Sequence, residues 1–254
     1  MAKNHNLNLA SQGTSLKALF TGYLVVVAVG YLMAIVQIQL THGLADGKYG
    51  LSVDDIVYSY YGNRSNSLLE NKLHGSMKSM ATDDEREKVI SWVHAGATED
   101  AYENDGIKQI FETKCIICHN ADAGGAVPDY SDFQQIKERA VVDTGASITA
   151  LARVSHIHLF GIAFIFMFVG LIFSLAAGVP KPLKVFVISM PYIFLLIDIS
   201  AWWLTKLNPN FAWFVMIGGG AMALSFAFMW VVSMYEMWIL PRIREDNRDA
   251  LLDE

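Results

Sequence analysis

The sequence predicts an all-α membrane protein: a four-transmembrane-helix anchor with a polar helical domain inserted between helices 1 and 2. Three observations predict it. Four apolar runs are each long enough to cross a bilayer, which takes about 20 helical residues. Between the first and second run lies a polar stretch, residues 41–154, with helix start signals and no strand-type alternation. The 254 residues are 53% hydrophobic with a positive mean hydropathy, high for a soluble chain.

Residues 1–15 are polar and are expected on the cytoplasmic side. The run at 16–40 is too long for the apolar part of a cleaved signal and reads as an uncleaved anchor. Three further spans fall within residues 155–240: His158–Gly178, Leu183–Leu204 and Phe211–Leu240. Pro191 is expected to kink the third. The fourth is overlong, so it should tilt or project, and its Gly218-Gly219-Gly220 run lets a neighbouring helix approach closely. Residues 241–254 form a short tail.

Basic residues set the orientation. Lys3 and Lys17 flank the first span, Lys181 and Lys184 lie between the second and third, and Arg242, Arg244 and Arg248 follow the fourth. Both termini are therefore expected in the cytoplasm, with the insert and the short loop Thr205–Asn210 outside. This is the topology of a multi-pass protein of a bacterial inner membrane with a periplasmic domain. The formal charge of −6 gives no footing for nucleic-acid binding.

Three helices are predicted in the insert. Thr82-Asp83-Asp84-Glu85 is a capping box, followed by apolar Val89, Ile90 and Val93 and closed by Gly96. Ile107, Ile110 and Phe111 stand at helical spacing and lead into Cys115. A weaker helix covers about Ser131–Ala140.

Cys115-Ile116-Ile117-Cys118-His119 is the motif that carries chemistry. Its CxxCH spacing is that of c-type haem attachment. Two thiols one helical turn apart reach two vinyl groups on one porphyrin edge, and the next residue reaches the iron, making His119 the proximal ligand. A zinc site would want further Cys or His at short spacing, and a thioredoxin-like motif would want a βαβ context; neither surrounds this motif. The expected cofactor is one covalent haem c.

Asp105-Gly106-Ile107-Lys108-Gln109-Ile110-Phe111-Glu112-Thr113-Lys114-Cys115 resembles the first helix of class I cytochromes c, which runs through a Gly and a Phe into CxxCH. Val127-Pro128-Asp129-Tyr130 is similar to the Gly-Pro-x-Leu loop of that family, with Tyr130 in place of Leu and the preceding Gly absent. The resemblance implies that the Pro128 carbonyl accepts the N–H of the proximal histidine. It also implies a distal methionine, which in the family follows CxxCH. Here no Met occurs between His119 and Met167, and the insert's methionines are Met77 and Met80, ahead of the motif. The helix after them looks like the family's last helix, so the domain resembles a circularly permuted class I cytochrome c. Met77 is the favoured distal ligand, with Met80 and His74 as alternatives.

A second constellation lies near the outer membrane boundary: His42, His156, His158 and Asp198. An intramembrane carboxylate is a functional candidate by default. The open readings are a structural Asp–His hydrogen bond, a quinol or proton-relay site, a metal site and a b-type haem. Trp202, Trp203 and Trp213 read as an aromatic belt. The expected function is electron transfer at the periplasmic face, with membrane lipid and a respiratory or oxidative membrane complex, or other cytochromes, as partners. The alternatives are a quinol-oxidising subunit using the Asp198/His158 region and a haem-based sensor.

Overall fold

The computed structural model describes residues 8–43, 45–46, 48–124 and 127–243. Lys3, Arg244 and Arg248 lie outside the described residues. In chain order the α-helices are α1 (Thr14–His42), α2 (Val53–Tyr60), α3 (Leu68–His74), α4 (Asp83–His94), α5 (Glu99–Asn104), α6 (Ile107–Ile110), α7 (Phe133–Arg139), α8 (Ile148–Ser174), α9 (Lys181–Leu207) and α10 (Ala212–Met234). Among the described residues the only β-type pairing is an isolated bridge between Ser67 and Val142. Four helical segments are long and apolar enough to cross a membrane: α1, α8, α9 and the stretch Pro209–Ile243.

The chain forms two compact units. The first comprises Met1–Gln37, Ile148–Trp203 and Trp213–Glu254. Its helices α1, α8, α9 and α10 present mostly apolar side chains outward, as a lipid-facing surface requires. Gly218 does what the glycine run predicts: a Cβ there would stand 2.9 Å from the Asp198 Cβ and 3.3 Å from the Phe194 carbonyl oxygen. Gly219 and Gly220 meet nothing within 4 Å, so only the first of the three serves close packing. α9 runs through Pro191 without a break.

The α8–α9 turn is where this unit satisfies its polar groups. α10 passes into a π-helical turn, Tyr235–Ile239, that carries Glu236 into the interior at 2% exposure. Its two carboxylate oxygens accept the backbone N–H groups of Ala177 and Gly178, each at 2.7 Å. Lys184 donates to the Ser174 carbonyl at 3.0 Å and to that of Ala176. The freed donors and acceptors at the end of α8 thus find partners without water. The N-terminal segment joins the same turn, with the buried Leu9 donating its backbone N–H to the Leu175 carbonyl. Trp238 bonds Thr21 and sits under Lys17. These contacts gather Lys17, Lys184 and the N-terminal segment at one end of the helices.

The second unit comprises Ile38–Ser147 and Leu204–Ala212. At the far end of this unit α8 begins at Ile148, ten residues before the expected span at His158. Arg153, Ser155 and His156 mask this first part of the helix in a hydropathy reading. The Thr82–Glu85 capping box forms, with Thr82 N–H donating to Glu85 at 2.8 Å and Glu85 N–H donating to the Thr82 hydroxyl at 3.3 Å. Helices α2, α3 and α5 are additional to the three expected. Each starts on a side-chain cap, from Ser52, Ser67 and Thr98.

The core of this unit gathers Val89, Trp92 and Val93 of α4 with Tyr102, Ile107, Ile110, Phe111, Tyr130 and Ile136. Its two chain ends are tied together. Asp143 N–H donates to the Asn66 carbonyl, and Leu68 N–H to that of Val141. The buried Asp143 carboxylate accepts from Asn71 and from Gly145 N–H, both at 2.8 Å. Gly62 and Gly145 cross at this point with φ of +82° and +69°, and a Cβ on Gly145 would fall 2.3 Å from the Tyr60 carbonyl oxygen. Only glycine fits both the conformation and the space.

Candidate functional site

The CxxCH segment starts where α6 widens. Phe111–Cys115 is a π-helical turn, a form that often marks functional positions. The turn buries Phe111 while Cys115 stays half-buried and Cys118 exposed. Cys118 and His119 both donate their N–H to the Cys115 carbonyl, at 3.1 and 2.9 Å. The two thiols and the imidazole therefore issue from one compact turn, and both thiols are free. Burial pushes the Cys115 thiol up to about 11, and the nearby Glu85 charge adds to it.

His119 is held from three sides by one short segment. Its Nδ1 lies 3.2 Å from the Pro128 carbonyl oxygen. A carbonyl only accepts, so Nδ1 carries the hydrogen and Nε2 presents a lone pair, the tautomer that ligates a metal. Tyr130 N–H donates to the His119 carbonyl at 2.9 Å. The Tyr130 ring stacks on the imidazole, centroids 4.5 Å apart and planes 15° from parallel. Burial pushes the Tyr130 phenol up to about 12, so the ring is neutral. Free thiols on one turn followed by an Nε2-presenting imidazole form the donor set that a covalent haem takes.

The segment with the candidate distal ligands is braced separately. Met77 is half-buried, and Met80 and His74 are exposed. Arg86 donates to the Lys78 and Ala81 carbonyls, each at 2.8 Å, and pairs with Asp83. Glu85 of the same helix start pairs with Lys114 at 3.5 Å, next to Cys115. His94 is exposed at the end of α4, and its Nε2 lies 3.0 Å from the buried Glu70 carboxylate. His74 stands 3.9 Å from the other oxygen of Glu70.

The residues of the membrane constellation divide between the two units. His42 belongs to the second unit, where its Nδ1 lies 2.7 Å from the Ser59 hydroxyl. His156 is exposed and packs edge-on to Phe160. Asp198 is buried at 6% exposure, but its carboxylate accepts from Trp202 Nε1 at 3.2 Å rather than from a histidine. His158 donates from Nδ1 to the Val154 carbonyl, and the Trp202 ring stands edge-on to it at 5.1 Å. Trp202, one turn after Asp198 on the same face, takes the carboxylate contact that the structural reading gave to an Asp–His hydrogen bond. Among the described residues no three His, Cys, Asp or Glu side chains are placed to hold a metal ion. Of the three belt tryptophans, Trp202 is buried on Asp198, Trp203 donates to Ser155 at 3.0 Å, and Trp213 is exposed.

Sequence reasoning passed over Glu236, which could have been found as a lone carboxylate deep in an apolar run. It named Tyr130 only as a stand-in for Leu, and nothing local signals the stack of its ring on His119.

A family described as a transmembrane helical domain matches residues 137–245. That match and the four apolar helices make the chain a multi-pass membrane protein. No curated protein and no solved structure matches it.

Proposed function

We propose that the chain is a membrane-bound c-type cytochrome that moves electrons at the periplasmic face of a bacterial inner membrane, for a respiratory or oxidative membrane complex. The observation that carries this reading is the His119 Nδ1–Pro128 hydrogen bond directly after two free thiols on one turn. Cys115 and Cys118 would hold the haem covalently through two thioether bonds. When bound, haem c supplies reversible one-electron chemistry. His119 would offer Nε2 to the iron, and Met77 would supply the second ligand.

The chain's own part is to orient and to exclude water. Pro128 fixes the tautomer, and the cluster around Phe111 and Trp92 keeps the inner side of the attachment turn apolar. The apolar helices hold the domain at the membrane. Lys17 and Lys184 at one end of those helices support a cytoplasmic assignment for that end, which leaves the insert on the periplasmic side.

The test is expression in a host with haem-c maturation machinery, followed by a denaturing gel stained for peroxidase activity. The wild-type band stains, and replacing Cys115 and Cys118 with Ala abolishes the stain. A stain-negative wild-type band refutes the assignment.

A further inference from the structure

We infer that Tyr130 is a positioning residue for the proximal ligand, fixing the plane of the His119 imidazole. The inference rests on the haem reading above. A single hydrogen bond from Nδ1 to Pro128 sets the direction of one N–H vector, but the ring can still pivot about that vector. A second constraint has to come from a group against the ring face. Tyr130 supplies it, at a 4.5 Å centroid separation and 15° between planes.

The stacked ring is itself immobilised. Its backbone N–H is bonded to the His119 carbonyl, so ring and backbone move as one with the ligand. Its edge meets Phe111 at 5.5 Å and 87°, and Phe111 is 1% exposed. Phe111 in turn contacts Trp92 and Tyr102. An unbroken series of aromatic contacts thus runs from the core of the unit to the imidazole face. Phe111 also begins the turn that carries Cys115, so the thiols and the imidazole are referred to the same buried ring. Tyr130 keeps water from one face of the ligand and holds Nε2 on a fixed line.

The experiment uses the full-length holoprotein in detergent. The readouts are the low-temperature paramagnetic resonance spectrum of the ferric protein, whose anisotropy reports ligand-plane orientation, and the room-temperature ratio of high-spin to low-spin absorption. Tyr130→Phe keeps the stack and is expected to leave both unchanged. Tyr130→Leu removes it, so the resonance lines shift and broaden. The high-spin fraction then rises about three- to tenfold, the equilibrium effect of losing one aromatic pair. Magnetic resonance of ferrous wild-type protein with labelled His and Tyr is independent of any variant, and cross-relaxation between the Tyr130 and His119 rings is expected. Absence of that cross-relaxation, or a Tyr130→Leu spectrum identical to wild type, overturns the inference while leaving haem attachment standing. A wild type without covalent haem overturns the underlying reading instead.

Discussion

Glu236 gives the sharpest test of the membrane unit, because both of its oxygens are used and both partners are main-chain donors. Ala177 and Gly178 N–H reach it at 2.7 Å, and the side chain is 2% exposed. A hydrogen bond to a charged group contributes about 1.5–3 kcal/mol. Glu236→Ala removes two and leaves two buried N–H groups without partners, so a loss of about 3–5 kcal/mol is expected. Glu236→Gln keeps one acceptor and turns a donor toward the other N–H, for about half that loss. Gly178→Ala attacks the same contact from the other side, since its Cβ would lie 2.9 Å from Glu236 Oε1. The assay is reversible unfolding in mixed detergent micelles, followed by tryptophan fluorescence. Combining Gly178→Ala with Glu236→Ala should cost less than the sum of the two. A Glu236→Ala protein within about 0.5 kcal/mol of wild type, the usual scatter of neutral substitutions, refutes the reasoning.

Three further outcomes are expected. Met77→Ala should remove the weak absorption band at the red edge of the visible spectrum that reports Met sulfur on ferric iron, and lower the midpoint potential, while Met80→Ala keeps both; the reverse pattern moves the ligand to Met80. Asp198→Asn should retain assembly and quinol-driven haem reduction, because an amide oxygen still accepts from Trp202 Nε1; a normally assembled variant slowed roughly 10²-fold would assign Asp198 acid–base work. A reporter fused after Glu254 should be cytoplasmic and one inserted at Gly124 periplasmic, and the opposite pattern at either position refutes the four-span topology.

What was legible in the sequence follows from the range of the forces involved. A span is a local property, set by an apolar run of the right length, and α1 and α9 end within three residues of the expected limits. The capping box at Thr82 is equally local, since it needs only two side chains and the backbone between them. The start of α8 was missed because Arg153 and His156 are polar, although a helix leaving the membrane tolerates polar residues. The caps of α2, α3 and α5 were there to be read, but each helix is too short to show a period. The fate of Asp198 is different in kind. Both Trp202 and His158 were within reach, and which one meets the carboxylate depends on how α8 and α9 rotate against each other, a property of packing. The CxxCH turn was legible as a motif. The His119–Tyr130 stack was not, because it joins two rings that only tertiary packing brings face to face.

The order of elements in the insert has a physical basis in the way its ends are joined. The bonds Asp143 to Asn66 and Leu68 to Val141, and the Gly62–Gly145 crossing, hold residues 62–68 beside residues 141–145. A domain whose ends are adjacent can open its chain elsewhere with little loss of contact. On the proposed reading this is what allows the methionine segment and α4 to precede the CxxCH turn, in the reverse of the order that the resembling family uses. It also meets the requirement of insertion. A domain placed between two membrane helices must return its chain close to where it entered, and a single knot of Asp143 with Asn63, Asn71 and Gly145 serves that requirement. Loosening the knot would therefore separate the ends of the insert before it disturbs the aromatic contacts around Phe111, which come from residues 92–133 and do not involve it.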